Sequence, residues 1–337
     1  MSRRLAIPAV LILVALALSA VVLIQYGRAM RRARERTSVG SQIVQTSHGP
    51  VEYADVGSGP PVLVAHGAGG GYDQGLDFAG ALVARGYRVI AVSRFGYLRT
   101  ALPADAAPEA QADAYAEVLE ALHLQRVAVV GLSAGAPSCM QFALRHADQT
   151  AALILLVPAA YPSHLEQSTR GAMPKQTSGA TRVLFDVALE SDFALWAAAR
   201  LAPGAMLRLL VGTPSEAVAK ADADERARAG RVLDHLLPFG PRRLGVMNDA
   251  SITPLLPRYP LERIAAPALV LSTADDLFGT YEGARYSAEH IPDARFVGYA
   301  SGGHALIGHR EECLFEITSF LEEASVGLGR HPPIGAR

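Results

Sequence analysis

Only two cysteines occur in the 337 residues, Cys139 and Cys313. They lie far apart, each inside a segment that reads as amphipathic helix, so two buried thiols are expected rather than a disulfide. Neither has the spacing of a metal site or a redox motif. Strong net charge is also missing: 31 basic and 32 acidic residues nearly cancel. No stretch of the body combines basic runs with interleaved aromatics, which sets nucleic acid aside as a partner. Internal repeats and low-complexity segments are absent too, apart from a basic stretch near the start and a Gly/Pro-rich tail after Val326. With half its residues hydrophobic, the chain is long enough for one large α/β domain with an insertion.

The charge balance hides an asymmetry. Residues 1–36 hold seven arginines and the single acid Glu35, which leaves 24 basic and 31 acidic residues in the body, a net charge near −7. An acidic body argues against polyanionic substrates.

Leu5 to Ile24 is an uncharged run of 20 residues. At about 1.5 Å per residue it spans a hydrocarbon core of roughly 30 Å, so it reads as a single-pass membrane helix followed by a basic linker to residue 36. A cleaved signal peptide, leaving a secreted or periplasmic body, is the rival reading. Met1-Ser2-Arg3-Arg4 is a basic start, and Ala15, Ala17, Ser19 and Ala20 are small. Val21-Val22-Leu23-Ile24 carries the apolar run past those positions and favours the anchor. Five arginines between Arg28 and Arg36 outnumber the two ahead of the span, which points to a cytoplasmic body.

Beyond the linker, Ser41 to Thr46 and Val51 to Val56 read as a β-hairpin. Pro61 to Ala65 follows as a short strand, ending in the glycine-rich His66-Gly67-Ala68-Gly69-Gly70-Gly71. Strand and helix then alternate: helix over 76–85, strand over 87–93, helix over 107–122, strand over 126–131, helix over 134–146 and strand over 151–157. The alternation resumes with strands over 268–272 and 294–299 and helices over 281–290 and 311–324. This pattern predicts a mostly parallel sheet with helices on both faces. Residues 161–263 lack the alternation and read as several helices, a cap inserted after the sixth strand. Phe185, Phe193, Trp196, Met206 and Leu209 are expected in the cap's own core rather than in a cofactor site. The core is then 37–160 with 264–326, and 327–337 is a flexible tail.

A serine hydroxyl is a weak nucleophile near neutral pH, so acyl transfer needs a base, an acid that orients it, and donors for the oxyanion. Ser133 lies in Gly131-Leu132-Ser133-Ala134-Gly135, between an apolar strand and a helix, with the small flanks that a sharp turn requires. The motif alone is common by chance; its place in the β/α alternation, ahead of separate acid and base candidates, is what singles it out. His304, after Ser301-Gly302-Gly303 and the last strand, is the base candidate, with His309 as the rival expected to be entering the final helix.

On these segments (HGAGGG at 66–71, GLSAG at 131–135, STADD at 272–276, GGH at 302–304), residues 39–324 resemble the α/β-hydrolase superfamily, specifically members with a helical cap after the sixth strand. The order nucleophile, acid, base is the superfamily's order. The resemblance implies Asp276 as the triad acid, with neighbouring Asp275 as the other possibility. It assigns the oxyanion amides to Ala68 and Ala134, with Gly69 as the alternative to Ala68. His66 is expected to be structural. In one departure, the family's Asp-x-Arg-Gly-x-Gly-like turn after the fourth strand reads Ser93-Arg94-Phe95-Gly96-Tyr97-Leu98 here.

Serine at the elbow disfavours haloalkane dehalogenase and epoxide hydrolase chemistry, whose members of the superfamily carry aspartate there. A carboxylic ester is the broadest expectation for the small-molecule substrate. Amide, lactone or C–C cleavage, peroxyacid exchange, a hydroxynitrile-type lyase and a non-catalytic receptor are alternatives on the same fold. No metal or organic cofactor is implied.

Overall fold

A computed structural model describes residues 3–161 and 191–327 of the chain. Its centre is an eight-stranded sheet in the order β1-β2-β4-β3-β5-β6-β7-β8. The strands are β1 (Gln42–Thr46), β2 (Gly49–Val56), β3 (Pro61–Ala65), β4 (Arg88–Val92), β5 (Val127–Leu132), β6 (Thr150–Leu156), β7 (Ala268–Thr273) and β8 (Ala294–Tyr299). β1, β2 and β4 pair antiparallel, and every pairing from β4 to β8 is parallel. The expected hairpin is therefore the antiparallel edge of a mostly parallel sheet.

Both faces of the sheet are covered, which is why its strands read as continuous apolar runs. Successive residues point to opposite sides. Leu63, Ile90, Val129 and Leu153 pack on one face with α3 (Pro108–Ala121), α4 (Ala136–Arg145) and α10 (Thr280–His290). Val64, Val89, Val130 and Ile154 pack on the other with α2 (Tyr72–Val83) and α11 (Arg310–Gly327). Cys139 and Cys313 are free, buried thiols, one on each side. Burial pushes the Cys313 thiol up to about 11.

Between β6 and β7 the described chain is helical: α5 (Asp192–Leu201), α6 (Pro203–Leu210), α7 (Ser215–Lys220), α8 (Ala223–Asp234) and α9 (Arg243–Ile252). Ser191 and Asp222 cap α5 and α8 by accepting backbone N–H bonds from Ala194 and Glu225. These helices share an apolar cluster that holds Trp196 and Met206, as expected. Phe193 differs: it is 41 % exposed and packs edge-on against Tyr26. Leu209 is half-buried, and Phe185 lies outside the described residues.

The N-terminal segment corrects one expectation. No linker follows the apolar run; α1 is a single helix from Arg3 to Ser38, about 54 Å long. Residues 10–24 are exposed along it, whereas Met30 and Ala33 are buried in the cluster of the inserted helices. The arginine-rich stretch is helical because alanine, methionine and arginine are good helix formers and its apolar side finds a partner. Its end is tied down by Arg36, which donates to Asp73 Oδ2 (2.8 Å) and to the carbonyls of Asp234 and Leu237.

Candidate active site

Ser133 stands where β5 gives way, through one tight turn, to α4. Its φ is +49°, a left-handed conformation that a non-glycine residue adopts only when its surroundings hold it there. The flanking glycines make that possible. A Cβ on Gly135 would lie 2.6 Å from the carbonyl oxygens of Ala65 and His66, and one on Gly131 would lie 2.8 Å from the Cα of Ala136.

The structure brings three of the expected side chains into a line. His304 Nε2 is 2.8 Å from Ser133 Oγ, and His304 Nδ1 is 2.8 Å from Asp276 Oδ2. A carboxylate only accepts, so Nδ1 carries the proton and Nε2 faces the serine hydroxyl as an acceptor. Asp276 lies in the turn after β7, and His304 in the loop after β8. Burial by itself would raise the Asp276 carboxyl. The charge and hydrogen bond of His304, the Thr280 hydroxyl and the Phe278 amide outweigh it and hold the carboxyl below the usual range. Phe278 also packs edge-on against the His304 ring at 4.9 Å.

The two rivals are occupied elsewhere. Asp275 accepts from the amides of Gly302 and Gly303 (3.2 and 2.8 Å), bracing the loop that carries His304. His309 stands at the start of α11, bonded to Glu312 and the Ser301 carbonyl. His66 is buried, and its Nε2 accepts from the Arg94 amide, so its Nδ1–H donates to the Gly67 carbonyl. Burial first, and then the Arg94 charge, push its pKa far below neutrality, so it remains an uncharged loop brace.

In the glycine-rich loop, the amides of Gly67, Gly69 and Gly70 donate to Gln74 Oε1, the Tyr97 hydroxyl and the Gly67 carbonyl. Among the described residues the amides of Ala68 and Ala134 donate to none, which leaves two donors free near Ser133.

Arg94 is the residue that sequence reasoning passed over. Its buried guanidinium donates to the carbonyls of His66 and Ala134 and, with two prongs, to Asp249 of α9 (2.8 and 2.5 Å). The Tyr97 hydroxyl joins it on Asp249. The altered turn at 93–98 was visible in the sequence, but its partner is 155 residues away.

A cavity of about 210 Å³ opens beside Ser133 and His304. Phe78 and Leu82 of α2, Val232 of α8, and Leu314 and Ile317 of α11 give it largely apolar walls, which suit a hydrocarbon group. Among the described residues no group of three or more His, Cys, Asp or Glu is placed to hold a metal ion.

Residues 60–309 match the family model for the alpha/beta hydrolase fold. The chain belongs to the α/β-hydrolase family. This α/β-hydrolase is 27 % identical over 280 residues to a pimeloyl-[acyl-carrier protein] methyl ester esterase of Chromobacterium violaceum, covering 79 % of the chain and 96 % of that protein. Among solved structures it resembles an α/β-hydrolase fold protein from Nakamurella multipartita (28 % identity, TM-score 0.65, 85 % of this chain and 99 % of that one). An esterase from Exiguobacterium antarcticum shares the fold at 21 % identity (TM-score 0.62, 83 % and 99 %). The protein is thus an α/β-hydrolase enzyme with esterase relatives.

Proposed function

We propose that this α/β-hydrolase cleaves carboxylic esters through an acyl-enzyme, with Ser133 as nucleophile, His304 as base and Asp276 as orienting acid. The observation that carries the reading is the unbroken contact line from Asp276 through His304 to the Ser133 hydroxyl. His304 Nε2 takes the proton from Ser133 Oγ as that oxygen bonds to the ester carbonyl carbon. The amides of Ala68 and Ala134 stabilise the resulting oxyanion; the commitment of the Gly69 amide to Tyr97 supports Ala68 over Gly69. His304 then passes the proton to the departing alkoxide as the ester C–O bond breaks. Water, deprotonated by His304, attacks the acyl carbon; the acid leaves and Ser133 recovers its proton.

Asp276 remains ionised and stabilises the imidazolium formed at each step. The apolar cavity accommodates a hydrocarbon part of the ester: an apolar space of about 150 Å³ already takes up benzene, and this one is larger.

In the same reading, residues 37–160 and 264–326 are the catalytic core and 161–263 a cap that shapes substrate choice. α1 anchors the protein in a membrane with the body on the cytoplasmic side, in line with its arginine bias. A fluorophosphonate probe tests the chemistry: labelling of the folded protein that Ser133→Ala abolishes is expected, with turnover of activated short-chain esters. Folded protein that neither labels nor turns over esters would defeat it. Digestion of the body from outside intact cells or spheroplasts would defeat the cytoplasmic placement.

A further inference from the structure

α1 is unbroken from Arg3 to Ser38, so the level of a bilayer along its axis sets what lies beside that bilayer. A hydrocarbon core of about 30 Å takes up about 20 residues of helix, the uncharged Leu5 to Ile24. Tyr26, just past them, then stands at headgroup level, the usual place for tyrosine. Its ring packs against Phe193 (5.2 Å) and Trp196 (5.5 Å) of α5, which brings that helix to the same level.

The exposed surface of α5 and α6 has the composition of an interfacial segment. α5 and α6 bend by 117° where they meet. The bend presents Leu201, 86 % exposed, together with exposed Ala202 and Pro203. Arg28, Arg32 and Arg34 of α1 and Arg208 of α6 are also exposed. Apolar side chains beside arginines suit the boundary between acyl chains and anionic headgroups.

We propose that the α5–α6 corner rests on the phospholipid surface beside α1, with Phe193 and Leu201 in the headgroup region and the arginines on anionic lipid. This rests on α1 staying in place as a membrane anchor. α6 runs about 12 Å from Pro203 at the corner to Leu210, which lines the cavity beside Ser133. The site is thereby held close to the bilayer, and esters that partition into membranes are the substrate class it is placed to receive.

Trp196 is the chain's single tryptophan, so its fluorescence reports on α5 alone. Full-length protein is reconstituted in phosphatidylcholine–phosphatidylglycerol vesicles containing phospholipids brominated either near the glycerol end or near the terminal methyl of the acyl chain. Loss of roughly half the Trp196 emission is expected with the first and less with the second. Leu201→Asp should weaken the quenching and lower kcat/KM several-fold for a vesicle-borne ester, leaving that for a soluble ester unchanged. Protein that resists alkaline extraction yet shows no quenching overturns the docking and leaves the anchor standing. Mature protein whose mass shows α1 removed overturns both. Quenching that is absent while Leu201→Cys forms disulfide-linked pairs assigns the corner to a second copy and also overturns the proposal. Fluorophosphonate labelling of the same samples reports on Ser133 independently.

Discussion

Arg94 and Asp249 form a buried two-pronged ion pair, 2.8 and 2.5 Å long, that joins the turn after β4 to α9 of the inserted helices. The same guanidinium holds the carbonyls of His66 and Ala134, one on each side of the candidate oxyanion site. Burial disfavours the charge, but Asp249 outweighs it and keeps the Arg94 pKa above its ordinary value. Asp249→Ala would leave a buried cation without its partner. We expect a loss of about 3–5 kcal/mol in urea unfolding and a fall in kcat/KM from a displaced loop. An unchanged unfolding midpoint would refute the role assigned to this pair.

The adjacent aspartates should separate cleanly. Asp276→Asn removes the carboxylate charge and exchanges one accepting oxygen for an NH2 donor, which favours the wrong His304 tautomer, and kcat should fall by about 10⁴-fold. Asp275→Asn loosens a brace on two glycine amides; a loss nearer 10²-fold is expected, from a misplaced His304 loop. Steady-state kinetics on purified, folded variants decides, and equal losses would count against assigning the acid to Asp276.

Asp73 should govern stability in acid. It is buried among Arg36, Arg242 and His235. Burial would raise its pKa, but the His235 hydrogen bond and then Arg242 reverse this and hold it far below the carboxylate range. Because the folded value is the depressed one, its stabilisation is complete above the unfolded pKa of about 4 and fades as pH falls below it. Thermal melts between neutral pH and pH 3 should show the wild type losing stability below about pH 4. Asp73→Asn should be less stable at neutral pH and less steep in acid. A parallel slope in the variant would contradict this.

Gly135→Ala forces a Cβ to within 2.6 Å of two carbonyl oxygens of the strand and loop beside the elbow. Crowding of backbone against backbone should destabilise the fold by about 1–3 kcal/mol and widen the gap between Ala68 and Ser133. Reduced fluorophosphonate labelling at a temperature where the variant remains folded is the expected readout. Wild-type labelling and melting together would show that the close approach is dispensable.

Much of this molecule was legible in its sequence because the signals are local. Apolar runs of strand length between amphipathic stretches determine a parallel sheet covered on both sides. Gly131 and Gly135 around Ser133 mark a turn that larger flanks cannot make, and His309 was expected at the helix entry where it stands. Less legible were contacts between distant segments. Nothing near Arg94 points to Asp249, nothing near Arg36 points to Asp73, and the basic stretch after Ile24 reads as a linker until Met30 and Ala33 find an apolar surface.

Local sequence dictates the layered fold, the elbow, and the candidates for acid, base and amide donors, since spacing and residue type within a few positions set backbone geometry. Which aspartate faces His304, which amides are left without an acceptor among the described residues, and which helices lie beside α1 emerge from the packing of the whole fold. Those choices turn on distances of a few ångströms between segments far apart in the chain, which packing sets and local sequence does not encode.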